Sequence, residues 1–366
     1  MLPILLEQQV GHRFITVRRY PQLQSLEAEE AELQSDKISQ NNLPSNLKKL
    51  RIRNCENLEY LVDEKEDNKS ISSTLCLLED LEIQNCRSLM SLSSKGHKNI
   101  CNQLQLLQII KCSKLSCLFS NTKFPITLKH LIIEGCPELE YIAKEFEETA
   151  CLESIAITFS GIKSLPRGLD KLIHLQKISL YSCSNLVSFE GSGLLTTSFR
   201  AFVVVNCGNF GALPKCMVSI TSLRQLSVSN CSAEISFPSE GFPANLTSLA
   251  ISNAPKIYRS LVEWGLNGLT SLQELTIGGG GCSNVVSFLE EGSRVMLPPS
   301  LTRIKLFEFE NLEFISKGFQ DLASLKELVI DKCPKLTSLP EKKFASLGWM
   351  FTYLQLSIVE RRVLKR

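Results

Sequence analysis

Cysteine is the residue type whose number and spacing could do chemistry in this sequence. The 366-residue chain contains 14 cysteines, and nine of them follow a short apolar stretch at a constant position, as Cys333 does in LVIDKCPKLTSLP. Thiols could bind zinc or carry redox chemistry, but a zinc site needs closely paired ligands and the sequence has no C-x-x-C pair. We therefore favour a structural role, with one small side chain at each recurring turn, and expect no metal site and no cofactor.

The histidines do not suggest a catalytic site. His12, His97, His130 and His174 share no spacing with one another or with acidic residues. Nucleophilic catalysis of the Ser–His–Asp or Cys–His type needs groups brought within hydrogen-bond reach in a shaped pocket. No phosphate-binding G-x-x-x-x-G-K-[ST] motif is present either, because GGGG at 278–281 is followed by CSN without a lysine. We predict no catalytic residues and no enzymatic activity.

Composition and charge exclude several partners. The 40 basic and 38 acidic residues give a net charge of +2, which provides no general surface for nucleic acid or an anionic membrane. The apolar start of the chain is interrupted by Glu7, and no apolar run is long enough to span a membrane. We expect a cytoplasmic or nuclear protein with reduced cysteines.

A repeat organises most of the chain. The template L-x-x-L-x-I-x-x-C-x-x-L-x-x-L recurs with a period of mostly 23–26 residues, which is typical of leucine-rich repeats. The L-x-L alternation places apolar side chains on one side of a short strand, and one repeat cannot enclose them without neighbours. The sequence predicts a leucine-rich-repeat solenoid with a horseshoe form, with short parallel β-strands on the concave face and irregular chain or short 3-10 helices on the convex side. Seven copies keep the template and begin at Leu47, Leu78, Leu104, Leu128, Leu175, Phe199 and Leu325.

The repeat also predicts the domain organisation. Residues 1–41 are interpreted as an atypical lead-in with one degraded repeat and an acidic linker. Residues 42–340 are interpreted as an array of about twelve repeats, following from the repeat period. Residues 341–366 are interpreted as a degraded terminal repeat and cap, since a terminal repeat exposes one face to water.

Charged residues between the apolar strand positions should meet across neighbouring strands. Stacking in register would place Lys49 beside Asp80 and Arg51 beside Glu82, and it would align Arg303 with acidic residues 274 and 327. Two interpretations remain open for these charges: ion pairs that fix the register, or a patch that binds a ligand.

Apolar residues on the same concave face are candidates for partner contact. Grouped exposed aliphatic residues often mark binding surfaces, although β-branched residues there could reflect strand propensity alone. His130 should also face this surface, where a solvated histidine is the alternative to a binding residue. The candidate partner-binding residues are Arg51, Arg53, His130, Ile132, Tyr181, Val203, Val205, Phe307, Val329 and Asp331.

The repeats resemble those of a known family. LRIRNCENLEYL, LIIEGCPELEYI and LVIDKCPKLTSLP are similar to the C-terminal repeats of plant nucleotide-binding leucine-rich-repeat disease-resistance proteins of the coiled-coil class. The resemblance implies a protein-recognition module of plant innate immunity that binds a pathogen effector, a host protein or a nucleotide-binding signalling partner. The phosphate loop of that family is missing, so its nucleotide-binding domain and ATP-driven signalling are not expected in this chain.

One alternative function is a leucine-rich-repeat substrate receptor of a ubiquitin ligase, because those proteins also carry cysteine in their repeats. The repeats of that group read C-x-x-I-T-D, whereas copies such as that at Cys333 read CPxL. No F-box-like helical start is recognisable. The resistance-protein resemblance is therefore favoured.

Overall fold

The structure is a computed structural model of the chain, and its sheets are built from parallel strands. It describes residues 14–19, 26–27, 38–39, 47–62, 77–93, 102–119, 124–148, 150–189, 197–211, 213, 217, 219–232, 235, 241–264, 266, 268–288, 297–315, 319, 322–337 and 352–354.

The first of two compact units covers residues 1–199. Seven of its strands form a parallel sheet in the order β1-β4-β6-β8-β9-β10-β12, and β3-β2-β5-β7 and β11-β13 form two smaller ladders. A 3-10 helix, Leu169–Lys171, lies between β11 and β12. The strands are β1 (Phe14–Arg18), β2 (Leu26–Glu27), β3 (Ile38–Ser39), β4 (Lys49–Arg53), β5 (Tyr60–Val62), β6 (Asp80–Gln84), β7 (Ser91–Ser93), β8 (Leu106–Ile110), β9 (His130–Cys136), β10 (Ser154–Ser160), β11 (Ser164–Leu165), β12 (Lys177–Tyr181) and β13 (Ser188–Phe189).

The second unit covers residues 200–366 and repeats the arrangement. Its parallel sheet has the order β14-β15-β16-β17-β19-β21-β22, and β18 and β20 form a second ladder. The elements are β14 (Ala201–Val205), β15 (Gln225–Ser229), β16 (Ser248–Ser252), α1 (Pro255–Trp264), β17 (Glu274–Gly278), β18 (Ser287–Phe288), β19 (Arg303–Phe307), β20 (Phe314–Ile315), β21 (Glu327–Asp331) and β22 (Thr352–Leu354).

The core of each unit is built from the apolar template positions. In the first unit Leu50 is in register with Leu81, and Ile52 with Ile83, and all four are buried. The alternation of the strand places these residues on one side, where the next repeat covers them. The prediction of a leucine-rich-repeat solenoid with short parallel strands is confirmed.

Most strands of the two long sheets end at or are followed by a residue with a left-handed backbone, a feature that the sequence analysis did not predict. Asn54 and Asn85 have φ angles of 57° and 55°, and the N–H of Asn54 donates to the carbonyl of Gln84 at 2.9 Å. Asparagine tolerates this conformation better than most residues, which explains its recurrence before the cysteine. The other non-glycine residues with positive φ are Arg19, Lys111, Phe159, Ser182, Asn206, Asn230, Asn253, Glu308 and Lys332.

The helix α1 was not foreseen, because irregular chain or 3-10 turns were expected outside the sheet. The helix begins at Pro255, a residue favoured in the first helical turn because it needs no N–H partner there. Ile257, Tyr258 and Leu261 are buried and recur at helical spacing. The Tyr258 ring packs against Phe309 with a centroid distance of 6.0 Å, so an amphipathic helix replaces irregular chain in this repeat.

The predicted division into 1–41, 42–340 and 341–366 stays a prediction. The degraded first repeat does contribute a strand, β1, whose Ile15 is in register with Leu50. Most of the acidic linker and most of the terminal region lie outside the described residues.

Glycines 278–280 allow aromatic and polar side chains of neighbouring repeats to lie against the backbone. A Cβ at Gly279 would lie 2.4 Å from the Phe309 ring and 2.8 Å from its Cα. A Cβ at Gly280 would overlap the Oδ1 of Asn253 at 1.2 Å. This close approach explains why the chain has consecutive glycines here.

Replacing Gly279 with alanine should therefore destabilise the fold by about 1–3 kcal/mol, because Phe309 is buried and its backbone is involved in the clash. Urea unfolding followed by circular dichroism measures the change. Gly208→Ala is the matched control, since a Cβ there meets nothing within 4 Å, and it should change the free energy of unfolding by less than about 0.5 kcal/mol. Equal effects of the two substitutions would contradict the packing argument.

Candidate functional site

The side of each sheet that faces away from the core carries the candidate residues. The first, third and fifth residues of a five-residue strand point to this side, which we call the open face of that unit. In β4 these residues are Lys49, Arg51 and Arg53, whereas Leu50 and Ile52 between them are buried.

A charge ladder covers the open face of the first repeats. Lys49 Nζ lies 2.5 Å from Asp80 Oδ2, and Arg51 Nε lies 2.8 Å from Glu82 Oε2. Arg53 Nη2 lies 2.6 Å from the other carboxylate oxygen of Glu82. The predicted ion pairs Lys49–Asp80 and Arg51–Glu82 are confirmed, and Glu82 receives a second arginine that was not predicted.

Glu82 makes this ladder more than a set of surface charges. Only 9% of the residue is exposed, so its carboxylate depends on both arginines for compensation. Arg51 also lies over the Phe14 ring, 4.9 Å from its centroid. The arrangement supports the interpretation that these charges fix the register, rather than the interpretation of Arg51 and Arg53 as a ligand patch.

The second unit has a similar ladder. Arg303 Nη1 lies 2.6 Å from Glu274 Oε1, and its Nε lies 2.5 Å from Glu327 Oε2. The hydrogen bond and charge of Glu327, together with the charge of Glu274, raise the pKa of Arg303. The predicted alignment of these three residues is confirmed.

Three candidates of the first unit lie on its open face without forming one cluster. His130 and Ile132 are half-buried on β9, and His130 Nδ1 is 2.9 Å from Ser154 Oγ. Tyr181 lies at the end of β12 and is 39% exposed. The hydrogen bond to Ser154 gives His130 a local structural contact in addition to any contact with a partner.

The expectation that Val203 is an exposed aliphatic residue is wrong, because only 5% of it is exposed. Val203 does lie on the open face, in register with Ser227. Val203 is a short side chain in the middle of its strand, and Ala201 on the same face is buried as well. Val205 is half-buried at the end of β14.

Phe307, Val329 and Asp331 lie on adjacent strands and form the candidate group of the second unit, which we call the Phe307 group. Phe307 is in register with Asp331, and all three residues are half-buried. A Cβ at Gly278 would lie 2.7 Å from the Phe307 ring, so the glycine leaves room for the ring. Lys305 Nζ lies 5.4 Å from the ring centroid.

Sequence reasoning missed the contribution of Gly278 and Lys305 to this group. The glycine occupies an open-face strand position, and a glycine in a strand often marks close approach by another group. Aligning the strands in register would have placed Gly278 directly beside Phe307.

The recurring cysteines form a buried column rather than a reactive site. The Sγ atoms of Cys112 and Cys136 each lie near the carbonyl oxygen two residues earlier, at 3.7 and 3.6 Å. Burial raises the pKa of Cys112 to about 12 and that of Cys136 to about 11. The eleven cysteines of the described residues are free thiols, and no group of potential metal ligands is found in that part of the chain.

A groove in the first unit was not predicted from the sequence. Its volume is about 500 Å³, and it lies beside the bridge between Cys117 and Tyr141. Tyr141 is half-exposed on its wall, and Lys163 Nζ lies 5.9 Å from the tyrosine ring. The groove is lined mainly by Phe119, Tyr141, Ile142, Lys144, Leu165 and Arg167.

Reversing the charge of Arg51 should destabilise the first unit. Arg51→Glu places a second carboxylate beside Glu82, and we expect a loss of about 1–3 kcal/mol, reduced by the partial exposure of Arg51. Urea unfolding measures this change in the free energy of unfolding. Lys177→Glu is the control, because Lys177 is exposed on β12 and forms no ion pair within the described residues. An unchanged urea midpoint for Arg51→Glu would contradict the register interpretation.

The buried thiols should resist alkylation in the native protein. At pH 8 a pKa raised from 9.0 to about 12 lowers the thiolate fraction of Cys112 on the order of a thousandfold. Iodoacetamide labelling followed by peptide mass spectrometry should modify Cys112 at least tenfold more slowly than the less buried Cys117, and unfolding in urea should abolish the difference.

The same pKa shift has a consequence for stability. The neutral thiol of Cys112 contributes to folding fully below pH 9, and this contribution is lost as the pH rises toward 12.

Equal labelling of Cys112 and Cys117 in the native protein at pH 8 would contradict the buried column.

Comparison with known proteins gives consistent matches. Residues 7–137 match the family of plant disease resistance protein RPS2-like leucine-rich repeats. The putative disease resistance protein At3g14460 of Arabidopsis thaliana is 31% identical over 292 residues, which cover 71% of this chain and 20% of that protein. The disease resistance protein RPS4B of the same plant is 24% identical over 220 residues, covering 56% and 18%. The chain thus spans about a fifth of the length of these curated relatives.

Solved leucine-rich-repeat structures are also similar. The leucine-rich-repeat domain of the type III effector XopL matches with a TM-score of 0.46 and 19% identity, covering 63% of this chain and 73% of that one. The Leptospira interrogans protein LIC12759 matches with a TM-score of 0.40 and 16% identity, covering 80% of each chain.

The helices of the described residues include none with the length and hydropathy of a membrane span. The repeats, the parallel strands that they form, the matched family and the relatives are mutually consistent. The chain is a leucine-rich-repeat array that is similar to the leucine-rich-repeat regions of plant disease resistance proteins.

Proposed function

We propose that the chain is a non-enzymatic protein-recognition module of plant innate immunity and that it binds its partner on the open face. The observation that carries this proposal is the group Phe307, Val329 and Asp331, which places an aromatic, an aliphatic and an acidic side chain side by side on adjacent strands. Apolar residues grouped on a solvent-facing sheet often mark a contact surface. Their immediate neighbours Leu306, Leu328 and Ile330 already supply the core.

The repeat frame supports recognition because it separates two sets of residues. Template positions are needed for burial, whereas the residues between them can change without disturbing the core. Gly278 and Lys305 then hold the Phe307 ring in place on the face, which reduces the conformational entropy lost when a partner binds.

The partner class that we propose is a protein, namely a pathogen effector, a host protein or a nucleotide-binding signalling domain. The relatives are named as disease resistance proteins, and this chain aligns with only part of each. A nucleotide-binding domain is therefore included as a partner, whether on the same polypeptide or another. We propose a cytoplasmic or nuclear location for this interaction.

The non-catalytic role is supported by the chemistry of the described residues. The buried thiols have raised pKa values, which disfavours the thiolate that a nucleophile requires. His130 makes its described hydrogen bond with Ser154, and neither residue has a carboxylate arranged with it as a triad within the described residues.

The double variant Phe307→Ala/Val329→Asp should lose partners that the wild type retains. Tagged chains expressed in leaf tissue would be purified and their co-purifying proteins quantified by mass spectrometry. At least one protein should fall about tenfold or more with the double variant, as expected when central contact residues are removed.

The control Phe314→Ala/Val286→Asp makes the same chemical changes in the same unit but away from the open face. Phe314 and Val286 are exposed and adjacent, because the Phe314 N–H donates to the Val286 carbonyl at 3.2 Å. Retention of the same proteins by wild type, variant and control, with all three folded by circular dichroism, would remove the Phe307 group from the binding surface.

A further inference from the structure

Phe159 is an exposed aromatic residue in a strained backbone conformation. Its φ angle is 50°, and 62% of the residue is exposed. The left-handed region is unfavourable for a bulky side chain, and this conformation costs free energy that burial of the ring does not recover. Neither the core nor the charge ladder explains why an aromatic residue occupies this position.

Other repeats place smaller or polar residues at the same turn. Asn54, Asn85 and Asn206 have φ angles of 55–57° there. In the two repeats that flank Phe159, Gly135 of β9 holds the equivalent position before Cys136, and Ser182 directly after β12 holds it before Cys183. Phe159 therefore stands between two small residues of the neighbouring repeats, and most of its surface is exposed.

A carboxylate and a second aromatic ring flank the same position. Glu134, Thr158 and Tyr181 are in register on three adjacent strands, and Thr158 immediately precedes Phe159. Because adjacent strands are about 4.8 Å apart, Glu134 and Tyr181 stand about 10 Å apart with the small Thr158 between them. Glu134 is exposed and forms no ion pair among the described residues. The side chain of Lys111 lies against Gly135, the residue that follows Glu134.

We infer that Phe159, Tyr181 and Glu134 form a recognition site for an arginine or lysine side chain presented by a partner protein. A guanidinium or ammonium group above Thr158 would pair with the Glu134 carboxylate, and the two rings would stack on it or on the adjacent apolar chain. This inference rests on the proposed recognition function and adds a partner chemistry in the first unit. It does not depend on the Phe307 group of the second unit.

The strain at Phe159 gives the first test. Phe159→Asn installs the residue that other repeats use at this turn, so it should raise the urea midpoint of the full chain while removing the ring. A structural aromatic residue would behave in the opposite way, because its removal lowers the midpoint. A lowered midpoint would therefore overturn the inference.

Binding gives the second test, with a random twelve-residue peptide library displayed on phage as the probe. Phage that bind the folded Phe159→Asn variant are removed first, and the remaining phage are selected on the full wild-type chain. This selection should enrich peptides that contain arginine or lysine next to an apolar residue. The affinity of a synthesised peptide, measured by fluorescence anisotropy, should fall about tenfold or more for Phe159→Asn and for Glu134→Gln.

Ile173→Ala is the matched control, because Ile173 is 59% exposed in the same unit but lies outside the strands of the sheet. It should leave the affinity unchanged. Failure to enrich any Phe159-dependent peptide, or enrichment of peptides without a basic residue, would overturn the inference.

The two proposals fail in different ways. If partners from leaf tissue are lost on substitution of Phe307 and Val329 but no basic peptide depends on Phe159, the proposed function stands and this site does not. If neither substitution affects binding, both proposals fail.

Discussion

The structure depends on one constraint: a repeat of about 24 residues can bury its leucines only against the next repeat. In-register parallel pairing satisfies that constraint, because it aligns Leu50 with Leu81 and repeats the same contact along each unit. A left-handed residue at or near the end of most strands in these sheets then turns the chain away from the sheet. The cysteine column follows from the same geometry, since a small side chain is buried at that turn in most repeats.

The strands and the core positions could be predicted from the sequence, because the buried residues must recur with the spacing of the repeat. The L-x-L alternation and the cysteine positions gave the strands, and register alone gave the pairs Lys49–Asp80 and Arg51–Glu82. The second arginine on Glu82 could not be predicted from the register, because Arg53 is in register with Gln84 and its side chain reaches diagonally to Glu82.

The features that sequence reasoning missed are local departures from the period. Helix α1 replaces irregular chain where Pro255 begins an amphipathic segment, and Val203 is covered although alternation places it on the open face. Phe159 was not predicted because it lies near the end of β10, at a position where the repeat template specifies no residue type. Comparing that position across repeats would have distinguished its aromatic residue from the asparagines.

The central claim is that adjacent residues of one strand have separate roles, with one set building the frame and the other available for recognition. Leu328 and Val329 test it most directly, because Leu328 is buried and Val329 lies on the open face. Urea unfolding should show that Leu328→Ala lowers the free energy of unfolding by about 2–5 kcal/mol and that Val329→Ala lowers it by less than about 1 kcal/mol. Equal losses at the two positions would contradict the separation of frame and recognition surface.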